Sequence, residues 1–596
     1  MSELKARRDM DPAYQWDFTP IYPSDEAWEA ELTALTGEVK TAAALKGTMG
    51  QSAQGLKKGL DTLYALEERL EKCAIYAMLH KSADGGDPRY QAMSDRADTL
   101  VNAFSAAVSF LSPEILSIDP EELAAWLKKP ALKPYRHIIQ DICRSREHVL
   151  DEKTEGLLAR LNRPASAPDN AFTMLHAVDM RFPKIKDENG KRVTLTNGNF
   201  GVYRESRDPK VREEAFRKYF GAFAQFRNTL TALYAGNVQM DNFRALTRNY
   251  PDACTASLDG YNVPVSVYDS LVEAVHGALP DMRRYLDIRR KRLGLEKLHL
   301  CDLYCPIVED VEFAVPFADS RDLVKKALLP LGEEYQTLLD RAFDEKWMDV
   351  YENQGKDTGA FSCGIYGVHP YVLLNYTDTL EDAFTVAHEL GHSMHSFFSD
   401  RANDYANAGY SLMVAEVAST VNEVLLSQYL LKTETDPRRR AYVLNRFLEG
   451  FRTTLFRQTL FAEFERKAHE MEAAGQPLTA DSLSQVYHDL NALYYAGCET
   501  DAYGDIEWAR IPHFYRSFYV YQYATGFSSA VAIARHILDT GDSSGYLRFL
   551  TTGGSDYPLN ELKLAGVDLT KPATVKNALK VFGETVTEFE KTLNTL

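Results

Sequence analysis

The sequence predicts a mainly α-helical protein of more than one lobe, with one small β-sheet beside the helix that carries its chemistry. Three observations predict this. The chain has 596 residues, more than the roughly 100–200 that one domain usually holds. Segments such as 27–45 and 60–83 repeat apolar residues at three- and four-residue spacing, with Glu, Lys, Ala and Leu on the other faces. Extended signals are confined to two short stretches, near 183–200 and 359–375.

At the first stretch, Phe182-Pro183 and Asp187-Glu188-Asn189-Gly190 precede the alternating Val193-Thr194-Leu195. Asn-Gly between short extended pieces predicts a β-hairpin. The same break divides the chain into an N-terminal helical lobe, 1–195, and a larger second domain, 196–596. In the second stretch Gly364, Gly367 and Pro370 punctuate a few expected strands. Tyr371–Asn375 reads equally as an exposed edge able to pair with an extended peptide or as an ordinary core strand. No 20–50-residue repeat is visible.

Composition narrows the function. The chain is 45% apolar and 26% charged, as soluble globular proteins are. No stretch is expected to approach the ~18 apolar residues a membrane span needs. The opening, Met1 to Arg8, lacks the apolar segment of a secretory signal, so a cytoplasmic location is expected. A net charge of −18 repels nucleic acid and anionic lipid, so neither is expected as a partner. Arg438-Arg439-Arg440, after Asp436-Pro437, reads as the solvated first turn of a helix. The 7 cysteines are scattered without a C-x-x-C. They form neither a disulfide framework nor a Cys-rich zinc site, and reduced thiols are expected. Cys363 reads as a buried, inert thiol. Gly553-Gly554 is not a phosphate loop, since no Gly-Lys-Ser/Thr follows.

The chemistry lies in His388-Glu389-Leu390-Gly391-His392. Asp378, with Glu381 three residues on, is expected to cap its helix. His388 and His392, at i and i+4, share a face with Cβ atoms about 5–6 Å apart. Two imidazoles so placed can converge on one Zn²⁺ at ~2.0–2.1 Å each. Glu389 can then act as general base on a metal-activated water. With 14 His in the chain, chance supplies only about 0.02 such motifs.

A third ligand is required. His395 is excluded, because seven residues rise about 10.5 Å along a helix. The extended metzincin pattern fails as well, with His395 where it needs Gly and Phe398 where it needs His. A carboxylate on a later helix remains, and Glu416 is the candidate, since its apolar neighbours make an unpaired carboxylate costly. Glu423, two turns further, reads equally as an acceptor that orients a ligand histidine or as a marginal surface carboxylate.

His388 to His395, followed by Glu416-Val417-Ala418-Ser419-Thr420, resembles the thimet-oligopeptidase-like zinc peptidases, and more closely their bacterial oligoendopeptidase F branch. The likeness extends to Trp16–Tyr22 and Ser24–Trp28 at the start, Arg207–Phe216 and Tyr261–Tyr268 in the middle, and Gly553–Leu569 at the end. It implies His388, His392 and Glu416 as ligands of one zinc per chain, with Glu389 as general base. It implies two helical lobes around a deep channel that admits short peptides, and endopeptidase activity on them. The segment 512–523 resembles the family's late His/Tyr region. There His513 matches best, and Tyr519 and Tyr523, sharing a helix face, are expected as oxyanion donors, with plain aromatic packing the competing reading. Alternative functions are a non-hydrolytic peptide carrier with a zinc site, an exopeptidase of the same fold, and a structural helical protein with an accidental motif.

Overall fold

The computed structural model describes residues 4–308 and 313–596. Met1, Ser2 and Glu3, the start of the segment read for a secretory signal, lie outside the described residues. The chain is mainly helical, as expected, with three small sheets of two or three strands among the described residues. By contact density it forms two compact units. The first gathers 1–146, 313–429 and 533–567, and the second gathers 147–312, 430–532 and 568–596. The sequence break near 195 lies inside the second unit.

The first unit opens with helices α1 (Asp25–Ala42), α2 (Ala53–Ala83) and α3 (Pro88–Ala107). Each has an N-cap side chain on an otherwise orphaned amide: Ser24 accepts from Ala27 N, Ser52 from Gly55 N and Asp87 from Arg89 N. Trp28, Leu32, Leu35 and Val39 of α1 recur at helical spacing and meet Leu56, Leu60, Leu63 and Leu70 of α2 in one core. The stretch Pro88–Ser117 is long and apolar enough, by length and composition, to cross a membrane. This corrects the expectation that no stretch approaches that length. Its Met93, Ala97, Leu100, Phe104, Phe110 and Ile115 join the same core.

The hairpin near 190 forms in the second unit. Strands β1 (Lys184–Lys186) and β2 (Arg192–Thr194) pair antiparallel. Gly190 turns the chain with φ +76°, and the Asp187 carboxylate accepts from the amides of Asn189 and Lys191.

The three-stranded sheet lies in the first unit. Its strands are β3 (Met348–Asp349), β4 (Phe361–Cys363) and β5 (Tyr371–Leu373), in the order β3-β5-β4. β5 is parallel to β3 and antiparallel to β4. The possible exposed edge at Tyr371–Asn375 is therefore corrected: β5 is the central strand and Tyr371, Val372, Leu373 and Leu374 are buried. A continuous apolar run without alternation marks a strand covered on both faces.

The motif helix α4 spans Leu380–Ala402. Its cap is Thr379, not Asp378. Thr379 Oγ1 accepts from Asp382 N at 3.2 Å and Asp382 Oδ2 accepts from Thr379 N at 2.9 Å. Asp378, at φ +62°, turns the chain into the cap. Adjacent residues both able to cap made the sequence position ambiguous by one. Helix α5 (Leu412–Thr433) meets α4 at Gly391. A Cβ there would lie 2.6 Å from Ser419 Cα and 2.7 Å from Ala418 O, so the two backbones touch. Arg438–Arg440 lie in the first turn of Pro437–Gly450, capped by Asp436, and Arg440 pairs with Glu588.

Gly391→Ala is expected to force α4 and α5 apart at a cost of about 1–3 kcal/mol, read as a lower urea midpoint. Gly37→Ala meets nothing within 4 Å on α1 and is expected to raise stability by about 0.5–1 kcal/mol. Equal midpoints for the two variants would refute this account of the helix contact.

Candidate metal centre

α4 presents His388 and His392 one turn apart, with ring centroids 4.9 Å apart and planes at 80°. α5 supplies Glu416. Its Oε2 lies 3.4 Å from His388 Nε2 and 3.6 Å from His392 Nε2. A tetrahedral ion bound at ~2.0–2.1 Å spaces its donors about 3.3 Å apart, so the three residues fit one. They are the only group of three or more potential ligands of this kind among the described residues. The Glu416 side chain keeps 41% of its surface exposed, which leaves the group accessible on that side.

Glu423 resolves the even choice left by the sequence. Its Oε1 lies 2.7 Å from His388 Nδ1. In the neutral ring, Nδ1–H donated there leaves the Nε2 lone pair for the face shared with His392 and Glu416. Burial works against charge on His388, but Glu423, Glu389 and Glu416 outweigh it and raise its pKa to about 9. Burial likewise opposes charge on Glu416, yet His392 and His388 hold its pKa at about 2. Glu389 is buried beside the histidines, and desolvation raises its pKa against their opposing pull.

His395 is not part of this group. It is fully buried, its ring stacked on Tyr410 at 3.7 Å and tilted against Phe549. Its Nδ1 finds no hydrogen-bond partner, and burial lowers its pKa to about 3. An unmet ring nitrogen costs about 1–3 kcal/mol, which the buried ring area and the stack offset. Cys363 is unpaired on β4, and burial raises its thiol pKa to about 12.

His513, Tyr519 and Tyr523 belong to the second unit. The expectation that Tyr519 and Tyr523 share a helix face is corrected, because helix α6 (Tyr521–Thr540) begins after Tyr519. Phe518, at φ +49°, precedes it outside helical geometry. The residues still come together. Tyr523 OH lies 3.3 Å from Tyr519 OH and 3.5 Å from His513 Nε2, and the Tyr519 and His513 rings are nearly parallel. Burial lowers the pKa of His513, with Arg516 adding to it. Tyr515, by contrast, stacks on Phe172 and Tyr521 packs against Tyr268.

Two supporting groups went unnoticed in the sequence. Asn422 donates to Ala387 O at 2.9 Å and accepts from Tyr335 OH at 3.0 Å, tying α5 to α4. Ser362 of β4 lies 2.8 Å from Ser393 of α4. Asn422 had only a weak signal, a polar residue next to the apolar Val421 and near Val424, Leu425 and Leu426. Ser362 had none.

The model of peptidase family M3 matches residues 202–581, and that of oligopeptidase F matches 114–182. Oligopeptidase PepF of Bacillus subtilis is 41% identical, over 99% of this chain and 89% of its own. Group B oligopeptidase PepB of Streptococcus agalactiae is 37% identical, over 98% of each chain. The solved structure of oligoendopeptidase-F from Enterococcus faecium superposes with a TM-score of 0.76 at 37% identity, over 96% of this chain and all of that one.

Glu423→Gln is expected to weaken metal binding about 10–100-fold with an unchanged circular dichroism spectrum. Competition against a chromogenic chelator reads this, and wild-type affinity in the variant would remove Glu423 from the centre.

Proposed function

Since the chain belongs to peptidase family M3, in its oligopeptidase F group, we propose that it is a zinc-dependent endopeptidase hydrolysing short peptides. The observation that carries the proposal is the His388–His392–Glu416 group with Glu389 buried beside it. Two imidazoles and a carboxylate in tetrahedral spacing suit zinc, one per chain. Zinc held there supplies Lewis acidity, polarising the scissile carbonyl and easing deprotonation of water.

The chain's own residues do the rest. Glu389 takes the proton of the attacking water and returns it to the leaving amine. Glu423 orients His388 through Nδ1. His513, Tyr519 and Tyr523 are the proposed hydrogen-bond donors to charge developing on the carbonyl oxygen. An extended peptide would pair with the outer edge of β4, which has no strand partner among the described residues and is fixed to α4 through Ser362 and Ser393.

Residues 1–195 are proposed as an N-terminal helical lobe and 196–596 as the catalytic domain. In support, the two family models match on either side of that boundary. Seven unpaired thiols suit a reducing compartment, and the cytoplasm is the proposed location.

The purified protein should carry one zinc per chain by elemental analysis. It should cut a mixed peptide pool at internal bonds, as read by mass spectrometry. Intact peptides would mark a carrier, and terminal trimming alone an exopeptidase. Glu389→Gln should retain the metal and lose hydrolysis by about 10²–10⁴-fold; a fully active variant would sink the mechanism. Tyr519→Phe and Tyr523→Phe should each lower kcat, by about 10²–10³-fold for a true oxyanion donor, with KM little changed. Wild-type kcat in either variant returns that tyrosine to aromatic packing.

A further inference from the structure

The second unit holds a buried concentration of positive charge that the proposed peptidase chemistry does not use. The ring of Tyr304 lies between two guanidinium groups, Arg204 Cζ at 3.5 Å and Arg452 Cζ at 4.4 Å from its centroid. Arg457 pairs with Glu507 at 2.6 Å, and Arg510 reaches the same carboxylate at 3.2 Å. Arg452 pairs with Glu449 at 2.5 Å. Counting Arg289, which lies 3.2 Å from Glu449, five guanidinium groups thus face two half-buried carboxylates; Glu205, beside Arg204, is exposed to solvent. Among the described residues Arg204 has no carboxylate within ion-pair distance.

A cavity of ≈20 Å³ opens among these groups; Arg204, Tyr304, Arg457, Asn491, Tyr495 and Glu507 form its polar side, and apolar side chains, Phe200 and Phe220 among them, close the rest. That is room for about one water-sized occupant. Three of the wall residues carry polar atoms that find no partner: Arg204 Nε, Asn491 Nδ2 and Tyr495 OH. Asn491 and Tyr495 are each only 2% exposed. Arg452 Nη1 and Arg510 Nε, in the same charge cluster, are also unpartnered. Buried donors without acceptors are costly and rare. Here all three can donate, and the surrounding charge is in positive excess.

We propose that this cavity binds a single monatomic anion, of the halide class, held by Arg204, Asn491 and Tyr495. One water could accept from only two of the three donors and would leave the charge excess unbalanced. A phosphate or carboxylate exceeds the space. The same excess acts on Tyr304: burial opposes ionisation of its hydroxyl, yet Arg457, Arg452 and Arg204 together lower its pKa to about 8. The bound anion would also brace the 3₁₀ turn Glu507–Arg510, which directly precedes the turn Pro512–Tyr515 carrying His513.

Crystals of the full chain grown in sodium bromide at about 0.15 M test this. An anomalous bromine peak in the cavity, within hydrogen-bond reach of Arg204, Asn491 and Tyr495, is expected. In solution, chloride should raise Tm by a few degrees over gluconate at matched ionic strength, and Arg204→Gln and Tyr495→Phe should each lose most of that increment. The wild-type measurements hold even if a variant fails to fold. A cavity without an anomalous peak, or equal wild-type Tm in the two salts, overturns the proposal in favour of a buried water.

Discussion

The proposed metal centre depends on one steric fact, that α4 and α5 touch backbone to backbone at Gly391. Any side chain there would push Ser419 away and carry Glu416, three residues earlier on the same helix, out of reach of both imidazoles. The contact is reinforced on the next turn, where Asn422 bonds Ala387 O. The glycine within the motif thus contributes no chemistry of its own. It sets the separation at which two helices can share an ion, and the 3.4 and 3.6 Å spacings of Glu416 from the histidines follow from it.

The surroundings of α4 then leave few faces free. Ala383, Phe384, Ala387, Leu390 and Met394 are fully buried. β4 closes on the helix through Ser362 and Ser393, and a Cβ at Gly364 would strike Ser396. What remains partly accessible is the stripe bearing His388 and His392. A helix held this tightly keeps the proposed ligands in place ahead of binding, which would lower the ordering cost of taking up an ion. The central strand β5, buried on both sides, anchors this arrangement, while Trp16 bonds the carbonyls of Trp347 and Val372 across it.

Buried charge is handled in two ways. At the metal centre desolvation is matched by partners of opposite sign: His388 sits between Glu423 and Glu416, and Ser419 donates to Glu416. Around Tyr304 the guanidinium groups outnumber the carboxylates, and donors are left over. His395 shows a third outcome, a histidine so deeply buried that it is held neutral among aromatic rings. Three histidines within eight residues of one helix therefore have two quite different fates, set by which side of α4 each occupies.

The sequence alone carried the mainly helical class, the hairpin at Gly190, the i, i+4 histidine pair, and Glu416 as the carboxylate that meets it. These are local matters, since helical periodicity, turn chemistry and the cost of an unpaired carboxylate are written in neighbouring residues. It misplaced the cap by one residue, because Asp378 and Thr379 are both competent and only backbone conformation chooses. It left β5 open between edge and core, and set Tyr519 on a helix that begins two residues later. Strand order, the meeting of Glu423 with His388, the Asn422 tie and the convergence of Arg204, Asn491 and Tyr495 were decided only by tertiary structure. Each joins residues far apart along the chain, and no local propensity encodes which distant partner arrives.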